Sequence, residues 1–228
     1  MSTSNKTSTI LGFAAFGLLA LSWLWALKFA PSEMHMGEVY RIIYVHVPSA
    51  FSAFFAAAVL LGFSIWGLVS RNSPAMLWGR AAAEIGLIFT ILCLATGAIW
   101  GRPTWGVWWV WDARLTTTLI LAILYAGYLI LYNSLAAGPQ RNKICGVLGI
   151  LIALDVPIIY KSVTWWRTLH QPPSLMRPGG STMDSEMVWT LVSCVVVMLL
   201  VGAWLLVNRV KNLKTLEDLE RWSFAQTP

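Results

Sequence analysis

The chain has only three histidines, at positions 35, 46 and 170. His46 stands in Tyr44-Val45-His46-Val47-Pro48 at the head of one apolar run. His170 stands in Trp165-Trp166-Arg167-Thr168-Leu169-His170-Gln171-Pro172-Pro173, just past the end of another. A neutral imidazole is a good iron ligand, and axial histidine is a common way of holding haem. A lone histidine at such a position is often structural, but these two share one membrane level with an unusual segment. That segment reads Trp105-Gly106-Val107-Trp108-Trp109-Val110-Trp111-Asp112-Ala113-Arg114. Indoles are flat and apolar with one donor at the edge, so a wall of them stacks on a planar ring system. The competing reading is an aromatic belt, because tryptophan is enriched at membrane interfaces. A belt, however, is scattered over both faces rather than packed into one loop.

At helical spacing Trp105, Trp108 and Trp109 share a face with Asp112 next along it, which predicts a short interfacial helix on the outer face. Asp112 lies three residues before Leu115, where the next apolar run begins, and suits an N-cap. That role is compatible with ordering a ligand loop. Arg102 and Arg114 bracket the wall. They read either as interfacial anchors that snorkel or as guanidinium forks for carboxylates, with Arg41 and Arg167 as further candidates. Imidazoles, an indole wall and flanking arginines together fit a flat, metal-bearing amphiphile with carboxylate arms, and so argue for haem. His35, in Glu33-Met34-His35-Met36, reads as a solvated loop residue.

Composition dictates what must position these groups. Hydrophobic residues make up 57% of the 228 positions, charged residues 11%, and mean hydropathy is +0.67. Soluble domains carry about 25% charged residues, so the chain reads as an integral membrane protein. Apolar runs at Thr9–Phe29, Val47–Val69, Ala81–Trp100, Leu115–Ala137, Lys143–Tyr160 and Met187–Val207 are each close to the ~20 residues a crossing helix needs. The expected fold class is therefore an all-α polytopic membrane protein. It forms one six-span domain over 1–228, with a tryptophan-rich outer segment at 101–114 and a cytoplasmic tail at 208–228. The first run reads as a retained anchor, since it is too long for a signal peptide and lacks the small-residue cleavage site. Nine Lys and Arg on the side of the termini against seven on the other place both termini in the cytoplasm.

Other chemistries find no support in the residues. Cys93, Cys145 and Cys194 all fall inside spans, so neither a disulfide framework nor a Cys-pair metal site is read. There is no Cys-x-x-Cys-His, so haem would be held non-covalently, as a b-type group. There is no phosphate-binding loop, no Ser/His/Asp or metalloprotease signature, and nothing that points to nucleic acid. Membrane lipid is the expected surroundings. Asp155 with Pro157 in span 5 reads equally as a packing partner at a kink and as a functional acid. Arg80 and Glu84, four apart, are expected to pair.

The run from Trp105 to Thr116, continuing to Tyr125 and Tyr128, resembles the WWD motif of a superfamily of haem-handling membrane proteins. Six spans, the motif between spans 3 and 4, and a histidine in the segments on either side resemble its CcmC family, and the similarity covers the whole chain. The opening Arg102-Pro103-Thr104 and the extra Trp109 depart from the motif without touching a proposed ligand. The resemblance implies haem held on the periplasmic face of the bacterial inner membrane and presented for covalent loading of the haem chaperone CcmE. It also implies an assembly with the ABC transporter subunits CcmA and CcmB and the small membrane protein CcmD. His46 and His170 would then be axial or ligand-positioning residues, Trp105, Trp108, Trp109 and Trp111 the stacking surface, and Arg102 or Arg114 the propionate receptors. On this reading the chain is a delivery platform and not an enzyme. The alternatives are a bis-histidine haem electron carrier and a transporter or structural subunit anchored by its tryptophans.

Overall fold

The structure is a computed structural model that describes residues 3–70, 73–171, 180–181 and 183–226. Arg71 and Arg177, both counted in the charge asymmetry, and the Pro172-Pro173 pair lie outside the described residues. Six helices follow one another: α1 (Thr3–Lys28), α2 (Ile43–Ser70), α3 (Ser73–Trp105), α4 (Ala113–Ser134), α5 (Pro139–Trp165) and α6 (Ser185–Gln226). A short 3₁₀ turn, Glu38–Ile42, leads into α2. All six are long and apolar enough to cross a membrane, and no strand is present among the described residues. The chain is an all-α polytopic membrane protein.

One expectation needs correction: the interfacial helix at 101–114 does not form. Residues 101–105 instead continue α3. Gly106 then ends the helix at φ 79°, in the left-handed region where glycine pays no steric cost, with its N–H on the Arg102 carbonyl at 3.1 Å. The chain runs irregularly to Asp112, whose extended backbone (φ −89°, ψ 168°) starts α4. The segment at 208–228 is a helix, as α6 continues unbroken to Gln226, and most of its side chains are exposed. Leu213 is buried, and Arg209 donates two hydrogen bonds to Glu84, one of them at 2.9 Å. The expected Arg80–Glu84 pair is present at 3.2 Å, so one carboxylate gathers two guanidinium groups.

The bundle packs where small residues let helices approach. The Tyr125 ring of α4 lies against Gly86 of α3, and its hydroxyl donates to the Ala53 carbonyl of α2 at 2.9 Å. One tyrosine thus ties three helices together. A Cβ on Gly86 would stand 2.3 Å from that ring. Gly86→Val is therefore expected to cost about 1–3 kcal/mol by overpacking, read as a lower melting temperature of the detergent-purified protein. Asp155 is buried in α5, which stays helical through Pro157, and its Oδ2 has no hydrogen-bond partner among the described residues.

Candidate functional site

His46 lies near the start of α2, where its ring faces α3. Its Nδ1 is 3.0 Å from the Cys93 carbonyl and 3.1 Å from Thr96 Oγ1, whose own proton goes to the Leu92 carbonyl at 2.7 Å. A carbonyl only accepts, so Nδ1 carries the proton and Nε2 is left as a bare lone pair. His170 reaches the same state by a different route. Its Nδ1 is 3.0 Å from the Gln171 carbonyl, so Nε2 is again the unprotonated nitrogen. Neither Nε2 has a hydrogen-bond partner among the described residues. Metal-binding histidines are commonly fixed in this way, with one ring N–H on a carbonyl and the other nitrogen free.

The two rings, distant in sequence, have centroids 6.3 Å apart and planes inclined by 34°. Bonds of about 2 Å from one metal ion to both imidazoles put ring centres at about 6 Å. The spacing of the pair therefore suits two imidazoles that would hold one metal ion between them. Trp100 stands edge-on to His46 at 5.7 Å and Trp105 stands 6.3 Å from His170.

Burial holds His170 neutral, pushing its pKa down to about 4, with the Arg114 guanidinium acting in the same direction against the Gln171 carbonyl and Asp112. The unfolded imidazole, near 6.5, binds a proton that the folded one refuses between about pH 4 and 6.5. Stability therefore rises with pH across that window and is lost as pH falls through it. The expected result is a folding stability that is level from pH 8 to about 6.5 and falls as pH drops toward 4. The melting temperature of the detergent-purified protein against pH, in wild type and His170→Ala, checks it.

The rings line a cleft of about 240 Å³, against about 10 Å³ for the other void described. One water needs about 10–15 Å³ by the same measure, so the cleft is sized for an organic ligand. Its walls come from α2, α3, α4, α5 and α6, and it descends to Ala53, Thr90 and Leu121. The site is thus a slot sunk between helices rather than a wall lying along the surface. Its lining is largely apolar, and among the described residues Arg114 is the arginine that reaches it.

The residues expected at the site divide accordingly. His46, His170, Trp105, Trp109 and Arg114 line the cleft. Trp108 and Trp111 do not, and are 58% and 76% exposed. The face on which Trp108 was expected beside Trp105 and Trp109 required the helix to continue past Trp105, where it ends. Arg102 is turned back on its own helix end, donating to the Gly106 carbonyl at 2.5 Å. Arg41 is engaged by the Leu27 and Ala30 carbonyls and by Glu38, and exposed Arg167 lies outside the lining. Arg114 donates to the Tyr160 carbonyl at 3.0 Å and to Ser162 Oγ at 3.4 Å, which fixes it over the slot.

Asp112 plays both roles left open for it, although not as a wall residue. Its Oδ1 accepts the Leu115 N–H at 2.8 Å and caps α4, and its Oδ2 accepts the Thr168 hydroxyl. Thr168 Oγ1 in turn accepts the His170 N–H at 3.0 Å. His35 lies in a loop whose His35 and Met36 N–H groups donate to the Glu33 carboxylate, which those bonds hold below its usual pKa, and it does not line the cleft.

Sequence reading missed Trp100, Thr96, Gly97 and Thr168. Thr168, two residues before His170, follows the pattern of a hydroxyl that takes the N–H two positions on. Gly97 matters for the space it leaves, since a Cβ there would lie 3.1 Å from His46 Cε1.

Known proteins resemble the chain along its length. The family model described as heme exporter protein C (CcmC) matches residues 1–223. The chain is 39% identical over 226 residues to the heme exporter protein C of Haemophilus influenzae, covering 98% of this chain and 92% of that one. It is 37% identical over 212 residues to that of Escherichia coli K12 (92% and 85% covered) and 41% identical over 182 residues to that of Bradyrhizobium diazoefficiens (80% and 69% covered). With the slot, its paired imidazoles and these matches together, the chain belongs to the heme exporter protein C family.

Proposed function

We propose that this chain binds haem non-covalently in the slot and presents it for covalent loading of the haem chaperone CcmE during cytochrome c maturation. The observation that carries this reading is the pair of imidazoles 6.3 Å apart, each with its Nδ1 against a carbonyl, in the lining of an apolar cleft. No group of three or more His, Cys, Asp or Glu that could hold a metal occurs among the described residues. Two imidazoles without a protein cage suit a metal that brings its own equatorial ligands. The family name, heme exporter, supports the same cargo.

Haem supplies an iron for the two imidazoles and a vinyl edge at which the partner makes its bond. This chain supplies position and exclusion. His46 and His170 hold the iron, and Trp105 and Trp109 wall the ring. Arg114 receives a carboxylate arm. Exposed Trp108 and Trp111 sit in the headgroup layer at the rim, the belt role weighed for the whole segment. The bond-forming residue belongs to the partner, so the chain is not an enzyme in its own right. The excess of Lys and Arg at the other end of the bundle supports termini in the cytoplasm and a slot open to the periplasm of a bacterial inner membrane. CcmA, CcmB and CcmD are the partners that the WWD resemblance implies. Both imidazoles lie at one end of the bundle, which supports delivery over electron transfer across the bilayer.

The test is complementation of a bacterium lacking its own copy, with haem-stained gels reading the loaded chaperone. Wild type is expected to restore the haem–chaperone adduct, and His46→Ala and His170→Ala to abolish it. An adduct formed equally by both variants, or none formed by the well-expressed wild type, refutes the reading.

A further inference from the structure

The two ligands are held in unequal ways. His46 rides on a helix and is gripped by two acceptors on α3. His170 lies beyond the end of α5, on irregular backbone without a helical hydrogen-bond ladder. Its main-chain N–H donates, among the described residues, to the hydroxyl of Thr168. Because that hydroxyl accepts from an N–H, its own proton is free to donate, and it donates to Asp112 Oδ2. The same carboxylate caps α4 through its other oxygen. A charged acceptor makes the Thr168–Asp112 link the strong kind of hydrogen bond.

We propose that Thr168 is a positioning residue for the iron ligand, a hydroxyl latch that fastens the His170 loop to the end of the tryptophan loop at Asp112. The proposal rests on the haem reading above. Thr168 does not line the slot, so it acts through His170. With the latch gone, His46 and the apolar walls still hold the ring, while the His170 imidazole no longer keeps its place beside it.

Thr168→Val removes the hydroxyl at nearly constant shape, and Thr168→Ser keeps it. Each variant is purified with haem, and two quantities are read: the low-spin share of the absorption and magnetic circular dichroism spectra, and the rate of haem transfer to excess apomyoglobin. Thr168→Val is expected to shift a large share of the haem to high spin and to release it about tenfold faster, as for one lost hydrogen bond to a charged group. Thr168→Ser is expected to match wild type. The melting temperature of the haem-free proteins reads out any general damage. If Thr168→Val expresses poorly, Asp112→Asn serves instead. It keeps a good N-cap but replaces the charged acceptor by a neutral amide, and release at a rate between wild type and tenfold faster is expected.

Wild-type spectrum and release in Thr168→Val, or equal loss in the serine and valine variants, overturns the latch, as does wild-type release in Asp112→Asn. The His46→Ala and His170→Ala spectra separate the two claims. If they too match wild type, the haem reading has failed, whereas if they lose the low-spin form and Thr168→Val keeps it, the latch alone has failed.

Discussion

Gly97→Val is expected to abolish two-imidazole ligation and to lower haem affinity about 10–100-fold, the range measured when groups behind a metal ligand are disturbed. The cause is local. A bare Cβ at position 97 already comes within 3.1 Å of His46 Cε1, so a branched side chain has no room unless the ring moves. His46 cannot yield easily, because its Nδ1 is fastened to the Cys93 carbonyl and Thr96 of the same helix. Gly97→Ala asks for a displacement of only a few tenths of an ångström and should fall between. Haem titration into the purified variants, with spin state read from the absorption spectrum, gives the ordering. Equal affinities across the glycine, alanine and valine forms would show that His46 is not held where the geometry puts it.

Arg114→Gln is expected to cost about ten- to a hundredfold in haem affinity, since a hydrogen bond to a charged group contributes about 1.5–3 kcal/mol. Arg114 also fastens to Tyr160 and Ser162, so loss of affinity alone does not separate charge recognition from packing. A cycle with the dimethyl ester of haem, which lacks the carboxylate charges, makes that separation. The wild-type protein should discriminate strongly between acid and ester, and Arg114→Gln should scarcely do so. Equal discrimination by both proteins would remove Arg114 from the carboxylate site. Arg102 gives the converse expectation: its guanidinium is turned onto Gly106, so Arg102→Gln should leave the acid–ester ratio unchanged.

The spans were legible because hydropathy over about 20 residues is a strong signal. Their ends were not, because the outer turns of α3 and α6 carry polar residues, Arg80, Arg209 and Lys211 among them, that still follow the helix. The tryptophan segment was legible as chemistry and illegible as shape. Reading Trp105, Trp108 and Trp109 onto one face assumed helical phase through Gly106, where the backbone instead turns left-handed. Two indoles therefore went to the slot and two to the rim. The level of His46 and His170 followed from their places at the ends of apolar runs. The setting of His46 depends on Gly97 and the Cys93 carbonyl, contacts between segments far apart in sequence that no local pattern encodes. Asp112 was readable as a cap from its spacing to Leu115, but its second oxygen serves a loop more than fifty residues away.

On the proposed function, His46 and His170 would both hold the iron of one haem. Electron paramagnetic resonance of the ferric haem complex tests it most directly, with wild type compared against His46→Ala and His170→Ala. Wild type is expected to give a low-spin bis-imidazole signal, replaced by a high-spin signal or lost with the haem in each variant. A high-spin wild-type spectrum, or a low-spin signal that survives both substitutions, would contradict it.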